Sequence, residues 1–114
     1  MYDHIGLQVA ELEVSAKFYE AALAPLGLVR DGTGFGPPGA PALWLQVGAS
    51  GAVHVAFRAE TRAAVDAFHR RGLAAGGRDN GPPGVRADYA PTYYAAFLID
   101  PDGHNVEAVC MGAP

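Results

Sequence analysis

A short apolar segment carrying one histidine occurs twice in this chain, and that repetition restricts the fold more than any other feature. Asp3-His4-Ile5-Gly6-Leu7 is echoed by Val53-His54-Val55-Ala56-Phe57, with His54 lying 50 positions after His4. At the same offset Phe18 matches Phe68, Leu23 matches Leu73, Ala24 matches Ala74 and Gly27 matches Gly77. A unit of this size is one supersecondary element, so the period sets the architecture before any local assignment is made. The chain reads as two copies of one unit, divided at residues 1–50 and 51–114, within a single domain.

Local periodicity fills in each copy. Residues 2–9 alternate, with Ile5, Leu7 and Val9 on one face and His4, Gly6 and Gln8 on the other, as in a strand between two environments. Residues 12–24 change to a helical period, with Val14, Phe18, Ala21 and Ala22 as the stripe and Pro25 and Gly27 as the stop. Leu28 to Asp31 is a short strand, and Gly32 to Pro41 is a loop or weak edge strand. Ala42 to Gly48 alternates again, setting Leu43, Leu45 and Val47 against Trp44 and Gln46.

In the second copy Val53, Val55 and Phe57 oppose His54, Ala56 and Arg58. Thr61 is placed to cap a helix whose stripe is Val65, Phe68, Gly72 and Leu73. Residues 78–91 form a second Gly/Pro-rich loop, Thr92 to Ile99 a strand, Asp100-Pro101-Asp102-Gly103 a turn, and Asn105 to Cys110 the last strand. Aligned on their final strands, Ala42-Leu43-Trp44 corresponds to Asn105-Val106-Glu107. The aliphatic faces can then pack under the helices. The mixed faces, bearing His4, Trp44, His54 and Glu107, point together into a concave sheet.

The composition excludes several classes. A formal charge of −4 with no basic run argues against nucleic acid as a partner. Half the residues are apolar and 18% are charged, a globular balance. One cysteine, Cys110, leaves no internal disulfide and fits a reducing compartment. No leader and no apolar run of membrane-spanning length is visible, so a cytoplasmic location is expected.

Two imidazoles and a carboxylate on one face of separate strands make a possible three-ligand metal site, His4, His54 and Glu107. Such a set suits Zn, Fe, Ni, Co or Mn and leaves positions open for water and substrate. The same residues could instead line a metal-free pocket. His69 is expected to face solvent, and His104 to be a turn or surface residue. Cys110 is expected to be buried and inert. Tyr89, Tyr93, Tyr94 and Trp44 line a pocket or fill the core. Arg58 either anchors a substrate anion or pairs with Glu107.

Asp3-His4-Ile5-Gly6-Leu7, Phe18-Tyr19-Glu20 with Leu23, Val53-His54-Val55-Ala56-Phe57 and Asp100-Pro101-Asp102-Gly103-His104-Asn105-Val106-Glu107 together resemble the vicinal oxygen chelate superfamily. That superfamily includes glyoxalase I, bleomycin-resistance proteins, fosfomycin-resistance enzymes and extradiol dioxygenases. The resemblance spans essentially the whole chain. It implies an α+β fold of two βαβββ modules forming a cup-shaped mixed sheet, with helices on the outer face. It also implies a divalent metal held by His4, His54 and Glu107 and chelated by vicinal oxygens of a small-molecule substrate. Lyase, isomerase or dioxygenase chemistry follows, in a chain that forms a homodimer. Glu107, Tyr89 and Tyr93 are the catalytic candidates, with Asp88 as a further proton relay. Trp44, Gln46, Arg58 and Arg86 are candidates for contacting substrate. Glyoxalase I takes a fourth, carboxylate ligand where this chain has Trp44, which counts against lactoylglutathione lyase activity. The alternative is a metal-free protein that sequesters a drug or metabolite, as bleomycin-resistance proteins do.

Overall fold

Each half of the chain folds as strand, helix and three strands. The structure is a computed structural model that describes residues 3–48 and 51–113. The first module contains β1 (Ile5–Val9), α1 (Leu12–Leu23), a 3₁₀ turn (Ala24–Leu26), β2 (Val29–Asp31), β3 (Gly34–Gly36) and β4 (Leu43–Val47). The second contains β5 (His54–Arg58), α2 (Arg62–Ala74), β6 (Arg78–Val85), β7 (Tyr94–Ile99) and β8 (Asn105–Cys110). Tyr2, expected in the first strand, and residues 49 and 50 at the expected module boundary lie outside the described residues.

The two sheets repeat one topology, β1-β4-β3-β2 and β5-β8-β7-β6, with the first pair parallel and the others antiparallel. Gly6 pairs with Trp44 in one module and Ala56 with Glu107 in the other. The register therefore superimposes Trp44 on Glu107, as the final-strand alignment predicts. Leu7, Val9, Leu43 and Leu45 from the first sheet and Val55, Val106, Ala108 and Cys110 from the second join one continuous core. Both helices cover that side and pack against each other. Gly72 lies where α2 crosses the first module. A Cβ there would meet Leu98 Cδ1 at 2.2 Å and Ala22 and Phe18 at 3.5 Å, so a glycine in mid-helix permits the close approach.

Several local expectations are corrected. The buried face of α1 is Ser15, Phe18, Tyr19 and Ala22, whereas Val14 is 49% exposed. The face turns because the Ser15 and Tyr19 hydroxyls find acceptors inside, which apolar periodicity alone does not reveal. On α2, Leu73 is exposed and His69 is buried instead. His69 Nε2 lies 2.8 Å from Asp79 Oδ1 on β6, which meets its polarity within the fold. The Gly81 N–H and then His69 hold the Asp79 carboxyl below its usual range.

Residues 78–85 form an edge strand and not a loop. Irregular register near Gly81 and Gly84 accommodates Pro82 and Pro83, which an edge tolerates because no outer neighbour needs their N–H groups. Gly34–Gly36 is an interior strand between β2 and β4. Its glycines admit large neighbours, since a Cβ on Gly34 would strike indole carbons of Trp44 at 2.7–2.9 Å.

The modules are joined by the turn before β8. Asp100 Oδ1 accepts from the Asp102 and His104 N–H groups, and Oδ2 accepts from the Tyr19 hydroxyl at 2.6 Å. Burial first, and then the Asp100 carboxylate, push the Tyr19 phenol up, so it remains a donor. Asp102 accepts from Ala10 N–H at 2.7 Å and the Ser15 hydroxyl at 2.6 Å, placing a carboxylate at the start of α1. His104, 1% exposed, accepts the Val53 N–H at Nδ1 and donates from Nε2 to the Gln8 carbonyl. It is a turn residue as expected, but an interior one. His104→Ala should cost roughly 2–4 kcal/mol in denaturant unfolding, because Val53 N–H and Gln8 C=O lose buried partners together. A loss below about 0.5 kcal/mol would show the contact to be incidental.

Candidate functional site

Parity places the chemistry on the side of the second sheet away from the helices. Val106, Ala108 and Cys110 of β8 enter the core, so Glu107 faces the opposite way. His54 does the same on β5, next to β8 in the sheet. His54 Nε2 and Glu107 Oε1 are 2.9 Å apart. The remaining carboxylate oxygen accepts the Tyr93 hydroxyl in a short hydrogen bond. Glu107 is 2% exposed, whereas the His54 side chain is 52% exposed. The carboxylate is thus fixed from behind and the imidazole stands at the surface.

Burial, and then the neighbouring carboxylate, push the Tyr93 phenol up to about 12. Tyr89 packs edge-on against Tyr93 with ring centroids 5.0 Å apart and is itself exposed. Phe97, paired with Glu107 across β7 and β8, contacts the His54 ring at 6.3 Å and carries the Arg86 guanidinium 5.4 Å above its own centroid. Arg86 donates to the Pro82 and Gly84 carbonyls, so much of its donor capacity is spent holding β6. Tyr94 turns to the helix side and donates to Asp66. Asp88 is exposed. On the first sheet the half-buried Trp44 lies over Gly34, and the exposed Gln46 lies over Gly6.

The expected metal set is brought together in part. A nitrogen and an oxygen 2.9 Å apart can share an ion held at roughly 2.0–2.2 Å from each. Among the described residues, however, no group of three or more His, Cys, Asp and Glu is arranged to hold a metal within one chain. His4 Nδ1 instead meets Asp3 Oδ1 at 2.8 Å. Strand direction explains the separation. Gln8 is tied through His104 to Val53, whereas Asp3, His4 and Ile5 share a cleft with Val55 to Arg58. The strands β1 and β5 therefore run past each other in opposite senses. At about 3.3 Å per residue, His4 is displaced on the order of 10 Å along the seam from His54. Arg58 borders that cleft and forms no ion pair with Glu107, whose oxygens meet His54 and Tyr93.

No protein-family model matches the chain, and no curated protein does. A solved glyoxalase/bleomycin resistance protein from Albidiferax ferrireducens T118 is 31% identical, with a TM-score of 0.80 over 99% of this chain and 98% of its own. The chain belongs to the glyoxalase/bleomycin resistance protein family. A hypothetical protein from S. aureus is 25% identical with a TM-score of 0.69, each chain covered to 94%. A lactoylglutathione lyase from Agrobacterium tumefaciens is similar in fold alone, at 21% identity and a TM-score of 0.68 over 94% of this chain and 90% of its own.

Membership in the glyoxalase/bleomycin resistance protein family accords with the repeated module and leaves the chemistry to the residues. What the sequence did not disclose is the interior role of Asp100, Asp102 and His104. The available signal was a run of polar side chains facing Pro37-Pro38-Gly39-Ala40-Pro41 at the equivalent place in the first repeat. In an alkaline spectrophotometric titration, the difference between wild type and Tyr93→Phe should report one phenol with a midpoint near 12. Its folded pKa lies above the unfolded one, so its contribution to stability should fall as pH rises from about 10 towards 12. A midpoint near 10 would mean that the Tyr93–Glu107 bond is absent in solution.

Proposed function

We propose that this protein is a divalent-metal-dependent enzyme of the glyoxalase/dioxygenase type, acting on a small molecule with neighbouring oxygens by lyase, isomerase or dioxygenase chemistry. The observation that carries the proposal is the His54–Glu107 pair, a surface imidazole facing a buried carboxylate whose other oxygen is occupied by Tyr93. A Zn, Ni, Fe, Mn or Co ion bound there would supply Lewis acidity and a template for two substrate oxygens. His54 and Glu107 would hold it, with a third donor from His4 of a second copy, because His4 in the same chain is displaced along the seam. This makes the working form a homodimer.

The chain's own residues have definable tasks. Glu107 accepts from Tyr93 at one oxygen, which fixes the carboxylate and turns the other towards His54. Tyr93 keeps its proton at Oη at neutral pH and can return it to a group that develops negative charge beside Glu107. Phe97 packs against the His54 ring and Tyr89 against Tyr93, which orients both polar groups. Trp44 and Gln46 present the facing surface of the first sheet, one flat and apolar, the other able to donate and accept. Trp44 stands at the position equivalent to Glu107, so only the second module contributes a carboxylate there. That favours substrates other than lactoylglutathione.

Elemental analysis of protein purified without chelator should give one divalent ion per chain in wild type and none in His54→Ala or His4→Ala. Mixing His4→Ala chains with His54→Ala chains should restore one site per mixed dimer, since His4 of one then meets His54 of the other. Full occupancy in either single variant would sink the metal assignment, and failure of mixing would sink the shared site. If the protein carries no ion and binds a large cationic drug at this face, sequestration replaces catalysis. Tyr93→Phe should weaken metal affinity roughly 10- to 100-fold, the usual effect of losing a partner that orients a ligand. Unchanged affinity would remove Tyr93 from the site.

A further inference from the structure

The two ends of the seam between the modules are related by the repeat but are closed differently. At one end Asp100, Asp102 and His104 reach across to Tyr19, Ser15, Ala10 and Gln8. The strand register carries Asp100 onto Pro37, Asp102 onto Gly39 and His104 onto Pro41. None of these three has a side chain that can donate or accept. The helix starts record the same difference. α1 begins with no side-chain cap of its own and has Asp102 nearby, whereas α2 is capped locally by Thr61.

With the polar bridge missing, the other end of the seam is an open cleft of about 370 Å³. Its walls are Leu28, Phe35, Leu43, Val55 and Phe57, which belong to or pack against the core side of the sheets. None of Trp44, His54, Tyr93 and Glu107 lines it, so it lies apart from the His54–Glu107 pair, and only His4 of the proposed metal set borders it. Its rim carries Asp3 and His4, bonded to each other, and Arg58. Arg58 forms no ion pair among those found for the described residues. The exposed guanidinium beside an apolar cleft is therefore a cation with no ion-pair partner among the described residues. Glu60, two residues further on, lines an adjoining hollow with Thr61 and Ala64 and does not border the cleft.

We propose that this cleft is a second ligand site, which takes a small amphipathic carboxylate with its apolar body between β1 and β5 and its carboxylate on Arg58. The volume falls within the range of small-molecule pockets, and an apolar lining with one oriented charge is their usual chemistry. A guanidinium selects a carboxylate through paired N–H donors. The site needs no metal; it shares with the proposed metal set only His4, which stands on its rim.

Octanoate is a suitable probe, with octanol and octylammonium as controls for charge. Calorimetry on the full chain should show saturable octanoate binding, with octylammonium much weaker. In amide-resolved NMR the shifts should fall on Ile5, Ala42, Phe57 and Arg58. Arg58→Gln should weaken octanoate roughly 10- to 100-fold, towards the level of octanol, as expected for loss of a charge-assisted hydrogen bond. Ala42→Phe, placed in the lining, should abolish binding of both while leaving the thermal midpoint close to wild type. Absence of octanoate binding, equal affinity in Arg58→Gln, or shifts centred on His54, Tyr93 and Glu107 would each overturn the proposal. His54→Ala should leave octanoate affinity unchanged, which separates this result from any failure of the metal assignment.

Discussion

The grip of one turn on the opposite module is the constraint from which the rest of the structure follows. Asp100 first organises its own turn by accepting from Asp102 and His104, and then reaches Tyr19 on α1. Its burial is tolerable because every one of these contacts is a hydrogen bond to a carboxylate, the strong class. His104 completes the joint by bridging Val53 and Gln8 through its two ring nitrogens. A neutral imidazole with one donor and one acceptor suits a backbone N–H on one side and a carbonyl on the other.

That joint fixes how β1 lies against β5, and the placement governs the concave face. With Gln8 held near Val53, the beginning of β1 must lie near the end of β5. His4 and His54 are equivalent in the repeat, yet they stand at different places along the seam. One chain presents an imidazole and a carboxylate together and a second imidazole apart.

Divergence between the repeats converts a nearly symmetric scaffold into an asymmetric molecule. At the central position of the last strand, one copy has Trp44 over a glycine and the other has Glu107 under a tyrosine. At the turn before that strand, one copy has prolines and glycine and the other has the polar bridge. In each pair the backbone is shared and the difference is carried by side chains. Polar groups have been concentrated in the second module, leaving the first module's end of the seam apolar and open.

Much of this could be read from the chain alone. Strand parity depends only on a two-residue period, so His54, Glu107 and Trp44 could be assigned to the concave face, and Val106, Ala108 and Cys110 to the core. The repeat offset likewise required two copies of one topology. Helix faces were less legible, because Ser15, Tyr19 and His69 are buried through partners far away in sequence, while Val14 and Leu73 are apolar but exposed. β6 was hidden by its glycines and prolines, which an edge position and a bulge make acceptable. Only the tertiary structure decided that Tyr93 holds Glu107, that Arg58 does not, and that His4 is displaced from the pair. A sequence period specifies which side of a strand a residue occupies, but not how far one strand slides past another. That sliding is set here by hydrogen bonds between residues more than 80 positions apart.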